Sequence, residues 1–343
     1  MKRSLSLLSL FFMITVANAN EKLIFAIDLI RHGDRAPMHD LPKDPHYWKE
    51  GLAELTPEGM LQEFKLGESK RKIYIEHYHL LPNHYQDDTL YVRSTDTNRT
   101  LMSAEAFLLG LYPLGTGSMT LPHQFQPIPI HSVPKKHDNL LAAYDQPHQL
   151  KPLLEKYVYE TPEWKAKTAS VSAKFKKWSE ASGLTIAKLT DLIHLGDDLF
   201  IRQLHHITIP KGLSEQDTKE IIATAGWAIA YREKHKEVGA PLAHEFLSTV
   251  IDYLNDASKK QSALKYILYV AHDTTILSVM SGMQTPLDTP PPFASDLNFS
   301  LYENGQKQYI KVSFNGKVLK IPGCQGDSCT LAEFSKLAGD LDS

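Results

Sequence analysis

Leu23-Ile24-Phe25-Ala26-Ile27-Asp28-Leu29-Ile30 runs straight into Arg31-His32-Gly33-Asp34-Arg35-Ala36-Pro37. The first eight residues are a short apolar run with β-branched members, the pattern of a strand buried on both faces. The next seven carry Gly and Pro and read as a loop. Two more apolar runs end in the same way. Thr89-Leu90-Tyr91-Val92 leads into Arg93-Ser94-Thr95-Asp96, and Tyr266-Ile267-Leu268-Tyr269-Val270 leads into Ala271-His272-Asp273. In open α/β sheets, ligands bind beyond the carboxyl ends of the strands. Three polar clusters at strand ends are therefore expected to meet in one site.

Helical patterns separate these strands. Thr56-Pro57-Glu58 combines an N-cap residue with proline at the first helical position, and Leu61, Phe64, Leu66 and Ile73 follow at helical spacing. A second helix spans about Asn98 to Leu111, with Leu101, Ala104, Leu108 and Leu111 on one side. Prolines and glycines from Pro113 to Pro134 mark an irregular connection. Residues 140–260 are helical in pattern, with Lys/Glu-rich faces. A hairpin is expected from Phe299 to Tyr302 and Tyr309 to Phe314 around Asn304-Gly305, and a last helix near Thr330. The reading is an α/β fold: a doubly wound, mostly parallel sheet flanked by helices, with a smaller helical domain inserted. Residues 20–130 and 261–343 form the α/β domain and residues 131–260 the insertion.

The chain has 343 residues, 42% hydrophobic and 22% charged, enough to bury a core of that size. Residues 1–19 read as a signal peptide. Lys2 and Arg3 precede an apolar run from Leu5 to Val16, and Ala17-Asn18-Ala19 places cleavage after Ala19. That run is too short for a membrane span, so a secreted or periplasmic protein is expected. Loss of residues 1–19 removes two basic residues and no acid, which moves the formal net charge from −3 to −5. A mildly acidic chain is poorly suited to nucleic acid and lacks a global field for polyanions. Phosphate chemistry would need a local basic cluster. Cys324 and Cys329 are the two cysteines, and in an exported protein the pair is expected to form a disulfide. The rival is a metal site, for which two cysteines without a nearby histidine are a poor start.

The pattern R-H-G-x-R-x-P at residues 31–37 fixes five positions and would arise by chance roughly once in ten thousand chains of this length. Guanidinium groups bind phosphate through paired planar hydrogen bonds, glycine lets backbone approach an anion, and the histidine is placed to attack phosphorus. The plain alternative is a surface loop whose arginines pair with acids. Arg93 could equally be a strand-end ion-pair partner, and His272-Asp273 a helix cap. Asp34 is expected to orient arginines or cap a turn. Asp198 and His206 of the insertion are given no direct chemistry. His205-His206 and His77/His79 read as solvated or structural pairs.

These residues resemble the histidine acid phosphatases, closest in motifs to the prostatic and lysosomal type, in a bacterial secreted form. Residues 31–37 match their signature. Tyr91-Val92-Arg93-Ser94-Thr95-Asp96 with Arg99-Thr100, Leu55-Thr56-Pro57 with Gly59-Met60, and Ala271-His272-Asp273-Thr274-Thr275 match further segments. Pro322-Gly323-Cys324 with Cys329 resembles a C-terminal cysteine pair, one residue longer in spacing. The likeness covers nearly the whole chain after residue 19 and is weakest in the insertion. It implies a metal-free, cofactor-free phosphatase acting on small-molecule or phosphoprotein phosphomonoesters. His32 would be the nucleophile, Asp273 the general acid, and Arg31, Arg35, Arg93 and His272 the phosphate binders. Protonated Asp273 implies an acidic optimum. Some relatives are dimers, which leaves a homodimer open. A phytase-type enzyme is the first rival, although such enzymes commonly carry H-D-T-N where this chain has His272 to Thr275. A phosphoglycerate-mutase-like enzyme would continue Arg-His-Gly with Glu-Ser. A phosphate-binding protein without turnover would be expected to have lost His32, Arg93 or Asp273.

Overall fold

The computed structural model describes residues 21–145 and 147–339. The signal-peptide reading of residues 1–19 lies outside them. Six strands form one sheet: β1 (Lys22–Arg31), β2 (Leu90–Ser94), β3 (Tyr266–Ala271), β4 (Asp296–Asn304), β5 (Lys307–Phe314) and β6 (Lys317–Val318), in the order β2-β3-β1-β4-β5-β6. Strands β2, β3 and β1 are parallel. Strands β1 and β4, β4 and β5, and β5 and β6 pair antiparallel. The α/β class stands, but the sheet is mixed where a mostly parallel one was expected. The cause is local. The turn after Asn304 brings Lys307 opposite it, and so tight a connection can only reverse the strand.

The parallel strands end in register. Arg31 lies opposite Ala271, and Ser94 opposite Val270. The next residues continue the ladder: His32 N–H donates to Ala271 O at 3.1 Å and Thr95 N–H to Val270 O at 3.1 Å. All three polar clusters therefore leave the sheet at one edge.

Helices cover both faces, and the strand period of two divides the side chains between them. Ala26, Ile30, Leu268 and Val270 pack beneath α1 (Pro57–Arg71) and α2 (Asn98–Leu111), with Phe107 and Leu111. Ile27, Leu29, Ile267 and Tyr269 face the other layer with Phe246, Val250, Ile276 and Phe334. The α2 boundaries match the sequence reading. The α1 face does not. Leu61 and Ile73 are exposed, while Gly59, Glu63, Gly67 and Lys70 are buried. The reason is a close crossing with α2. A Cβ on Gly67 would fall 2.0 Å from Phe107 O, so only glycine fits. Lys70 extends under the sheet to Asp28 Oδ1 at 2.8 Å and Asp296 Oδ2 at 2.6 Å. Tyr74 and Tyr266 hydroxyls and the Asn298 amide also donate to buried Asp28, which satisfies an acid in the middle of β1.

The helical stretch contains α3 (Pro147–Tyr157), α4 (Pro162–Ser172), α5 (Phe175–Ser182), α6 (Leu192–Leu204), α7 (Glu215–Lys234) and α8 (Lys236–Ser258). Trp164, Trp178, Leu195, Leu199, Ile221 and Val238 form its own core. The later half of α8 leaves that core and packs on the sheet through Phe246, Val250 and Leu254. The chain closes with α9 (Asp273–Gly282) and α10 (Leu331–Gly339). A Cys324–Cys329 disulfide closes a short loop beside β5, where Ile310 and Cys329 exchange backbone hydrogen bonds. None of the described helices is long and apolar enough to cross a membrane.

Candidate active site

The loop after β1 is shaped by glycine packing. A Cβ on Gly33 would meet Gly59 O at 2.3 Å, and one on Gly59 would meet Asp34 O at 2.1 Å. Gly33 is thus needed for contact with the first turn of α1 rather than for approach to an anion. Thr56 caps that turn, accepting from Gly59 N–H at 3.1 Å and donating from its hydroxyl to Asp34 Oδ2 at 2.5 Å. Asp34 Oδ2 also lies 2.7 Å from His205 Nε2. Asp34 ties the loop to α1 and to the end of α6, as a positioning group should.

His32 is buried at 2% exposure. Its Nδ1 lies 2.8 Å from Gly33 O. A carbonyl can only accept, so Nδ1 carries the proton and Nε2 keeps its lone pair. Burial holds the His32 pKa well below 6.5, reinforced by Arg31, Arg99, His272 and Arg35. The ring is therefore neutral under mildly acidic conditions, as a nitrogen nucleophile must be.

Three arginines account for most of that field. Arg31 donates from Nη1 to Pro291 O, pairs through Nη2 with Asp273 Oδ2 at 2.8 Å, and places Cζ 4.3 Å from the Phe293 ring centroid. Arg35 forms a two-point pair with Asp197 at 2.9 and 3.1 Å. Arg99, in the first turn of α2, has Nη2 3.3 Å from His272 Nδ1. The buried Nε–H of each of Arg31, Arg35 and Arg99 has no hydrogen-bond partner among the described residues. The Arg93 Nε–H is likewise without a partner among the described residues, so it is proximity to His32 together with these free donors that marks Arg31, Arg35 and Arg99 as an anion site.

The structure does not bring Arg93 to this cluster. Its Nη2 lies 2.5 Å from Oδ1 of fully buried Asp138, and its strand position opposite Tyr269 faces the α8 layer. Arg99 stands where Arg93 was expected. The available signal was its place one helical turn beyond the end of β2, at the positive end of α2.

His272 is the N-cap residue of α9 and Asp273 its first residue, so both project from the end of β3. Arg99 can only donate, so His272 Nδ1 accepts and Nε2–H donates to Thr95 Oγ1 at 3.0 Å. Thr95 is anchored in turn by Thr100. Burial, with Arg99 and Lys135, pushes the His272 pKa well below 6.5. The His32 and His272 ring centroids are 5.4 Å apart. Phe293 lies 5.8 Å from His32 and 6.2 Å from exposed Phe200, and Tyr144 lies 5.9 Å from His272.

The insertion enters the site through residues adjacent to those noted in the sequence. Asp198 pairs with Arg202 at 2.6 Å, while Asp197 reaches Arg35. His205, not His206, reaches Asp34. Asp34, Glu58 and His205 offer ligand atoms within 4.8 Å of one another. The 2.7 Å His205–Asp34 contact is that of a hydrogen bond.

The arrangement can bind a phosphoryl group, attack it with Nε2 of His32 and supply or remove a proton at Asp273. The profile of the histidine phosphatase superfamily, branch 2, matches residues 22–315. Lysosomal acid phosphatase of Homo sapiens is 31% identical over 333 residues, covering 92% of this chain and 77% of that protein. Prostatic acid phosphatase of Homo sapiens is 30% identical over 354 residues, covering 97% and 89%. Among solved structures, Hafnia alvei phytase in complex with myo-inositol hexakis sulphate aligns with a TM-score of 0.71 at 18% identity, covering 94% of this chain and 98% of that one. At that identity the structural match speaks for a shared fold.

Proposed function

Because the chain belongs to branch 2 of the histidine phosphatase superfamily, we propose that it is an acid phosphatase that hydrolyses phosphomonoesters through a phosphohistidine at His32. The observation that carries this reading is the neutral His32 ring, with Nε2 unprotonated, among three arginines whose buried Nε–H groups lack partners.

The phosphoryl oxygens occupy the donors of Arg31, Arg35 and Arg99. These groups stabilise the charge spread over the non-bridging oxygens in the transition state. His32 Nε2 attacks phosphorus as the ester P–O bond breaks. Gly33 O, accepting from Nδ1–H, favours the positive charge that develops on the ring. Phosphate draws Arg31 away from Asp273, which frees that carboxyl group to carry a proton to the leaving oxygen. Water then attacks phosphorus, the P–N bond breaks, its electron pair returns to Nε2, and Asp273 takes the proton of the water. The arginines supply the positive charge, so no step requires a metal or cofactor. Arg99 Nη2 exchanges His272 Nδ1 for a phosphoryl oxygen, while His272 stays bonded through Nε2–H to Thr95. The division into residues 20–130 and 261–343 as the catalytic layer, with 131–260 as the insertion beside it, belongs to this proposal, except that the later half of α8 packs on the sheet and counts with the catalytic layer.

Export through residues 1–19, with cleavage after Ala19, is part of the same reading, and the Cys324–Cys329 disulfide fits an oxidising compartment. The test is phosphate release from p-nitrophenyl phosphate across pH 4 to 7, with and without chelator. Turnover that survives chelation supports the mechanism, and none at any pH would favour a binding protein. A panel including phytate separates general phosphatase from phytase action.

A further inference from the structure

We infer that Asp197, carried by the helical insertion, is a positioning residue that turns Arg35 so that its Nε edge receives the phosphate. The inference rests on the phosphatase reading above and extends it to a residue outside the catalytic layer.

A guanidinium has five N–H donors in one plane. At Arg35, Nη1 gives one hydrogen to Ala36 O at 3.0 Å and the other to Asp197 Oδ2 at 3.1 Å. Nη2 gives one to Asp197 Oδ1 at 2.9 Å. The end of the guanidinium is therefore fully used. Two donors remain, the Nε–H and the second Nη2–H, and they lie side by side on one edge. The Nε–H has no hydrogen-bond partner among the described residues although it is buried. Such an edge matches two phosphate oxygens. Asp197 thus leaves one two-point edge of Arg35 open and closes the other.

Asp197 is itself held in place. Its Oδ2 accepts from Met38 N–H at 2.9 Å, three residues beyond Arg35 on the same loop. Its helix is rooted in the insertion core by Leu195 and Leu199, both fully buried. Burial opposes the Asp197 charge, but Arg35 and the Met38 N–H hold its pKa below the ordinary carboxylate value. The fork therefore keeps its charge in acid. Arg35 is therefore a guanidinium through which the insertion acts on phosphate by direct hydrogen bonds.

The experiment measures KM for p-nitrophenyl phosphate and the competitive inhibition constant of inorganic phosphate in wild type, Asp197→Asn and Asp197→Glu, alongside Tm. Loss of one charge-assisted contact predicts a rise of about tenfold to a hundredfold in both constants for Asp197→Asn, with assays run well below its Tm. Asp197→Glu keeps the charge but moves the fork by a methylene. A smaller rise in both constants at near-wild-type Tm is expected, and this variant decides if Asp197→Asn does not fold. In an Arg35→Ala background, Asp197→Asn should add nothing further to the inhibition constant. Wild-type constants in the folded variants, or additive losses in the double variant, would overturn the inference. An inactive wild type would instead overturn the reading beneath it.

Discussion

Arg99 Nη2 lies 3.3 Å from His272 Nδ1, whereas Arg93 turns away to Asp138 at 2.5 Å. Two arginines six residues apart thus serve opposite purposes. Arg99→Ala should raise KM and the inhibition constant of inorganic phosphate at least tenfold and lower kcat about a hundredfold, because one transition-state donor is lost. Arg93→Ala strands the fully buried Asp138 carboxylate, so it should lower Tm, at a cost of about 3 kcal/mol, while KM stays within about threefold of wild type. Kinetics and thermal unfolding of both variants check the assignment, and reversed phenotypes would return the phosphate role to Arg93.

His32→Ala removes the only nitrogen assigned to attack phosphorus. The variant should lose more than a thousandfold in kcat and should form no acid-labile, base-stable phosphoprotein when mixed with substrate and quenched. Phosphorylation of the variant at wild-type stoichiometry would move the nucleophile elsewhere.

Much of this architecture was legible because strand ends announce themselves. Apolar runs closing at Arg31, Arg93 and His272 placed three clusters on one sheet edge, and the helix from Asn98 to Leu111 followed from its periodicity. What stayed hidden depends on direction. Arg93 is the last polar residue but one of β2, and side chains alternate across a strand, so its face is set by register with Tyr269 rather than by its neighbours in sequence. The α1 face is hidden from the sequence because its buried positions are two glycines, a glutamate and a lysine, and Gly67 serves a helix crossing and the lysine a distant acid. Asp197 and Asp198 differ by one position on a helix, about 100° of rotation, and only the packed structure decides which meets Arg35.

Asp273 is assigned proton transfer to the leaving group. Asp273→Asn should therefore cost about a thousandfold with an alkyl phosphate such as glycerol phosphate. With p-nitrophenyl phosphate, whose leaving group needs little protonation, phosphorylation of the enzyme should slow by less than tenfold. Pre-steady-state bursts for the two substrates measure this, and equal losses would remove the general-acid role.

The low pKa of His32 has a sign that kinetics can read. A depressed value keeps the ring neutral below pH 6.5, so kcat/KM should not fall as pH drops through the range where an ordinary histidine charges. Burial is the largest cause, and Arg99 is one of the reinforcing charges. Arg99→Gln should move the acid limb of kcat/KM upward in pH. An unmoved limb would mean that the limb reports another group.

Glu233 predicts a pH dependence of stability that thermal unfolding can read. It is 1% exposed at the end of α7, and its Oε2 accepts from the Ser278 hydroxyl at 3.0 Å. Burial pushes its pKa from 4.5 up to about 7, against the opposing influence of Arg232 and Ser278. The folded state thus binds the proton more tightly than the unfolded chain. The resulting stabilisation is complete below about pH 4.5 and is lost as pH rises through 7, amounting to about 3 kcal/mol at most. Asp296, also pushed up by burial, acts with the same sign. Wild type should therefore unfold at a lower temperature at pH 8 than at pH 5. Glu233→Gln, neutral at both, should narrow that gap by raising Tm at pH 8 without closing it, since Asp296 remains. Thermal unfolding of both proteins at the two pH values provides the measurement. Identical gaps would show that Glu233 takes up its proton no more readily in the fold than in the unfolded chain.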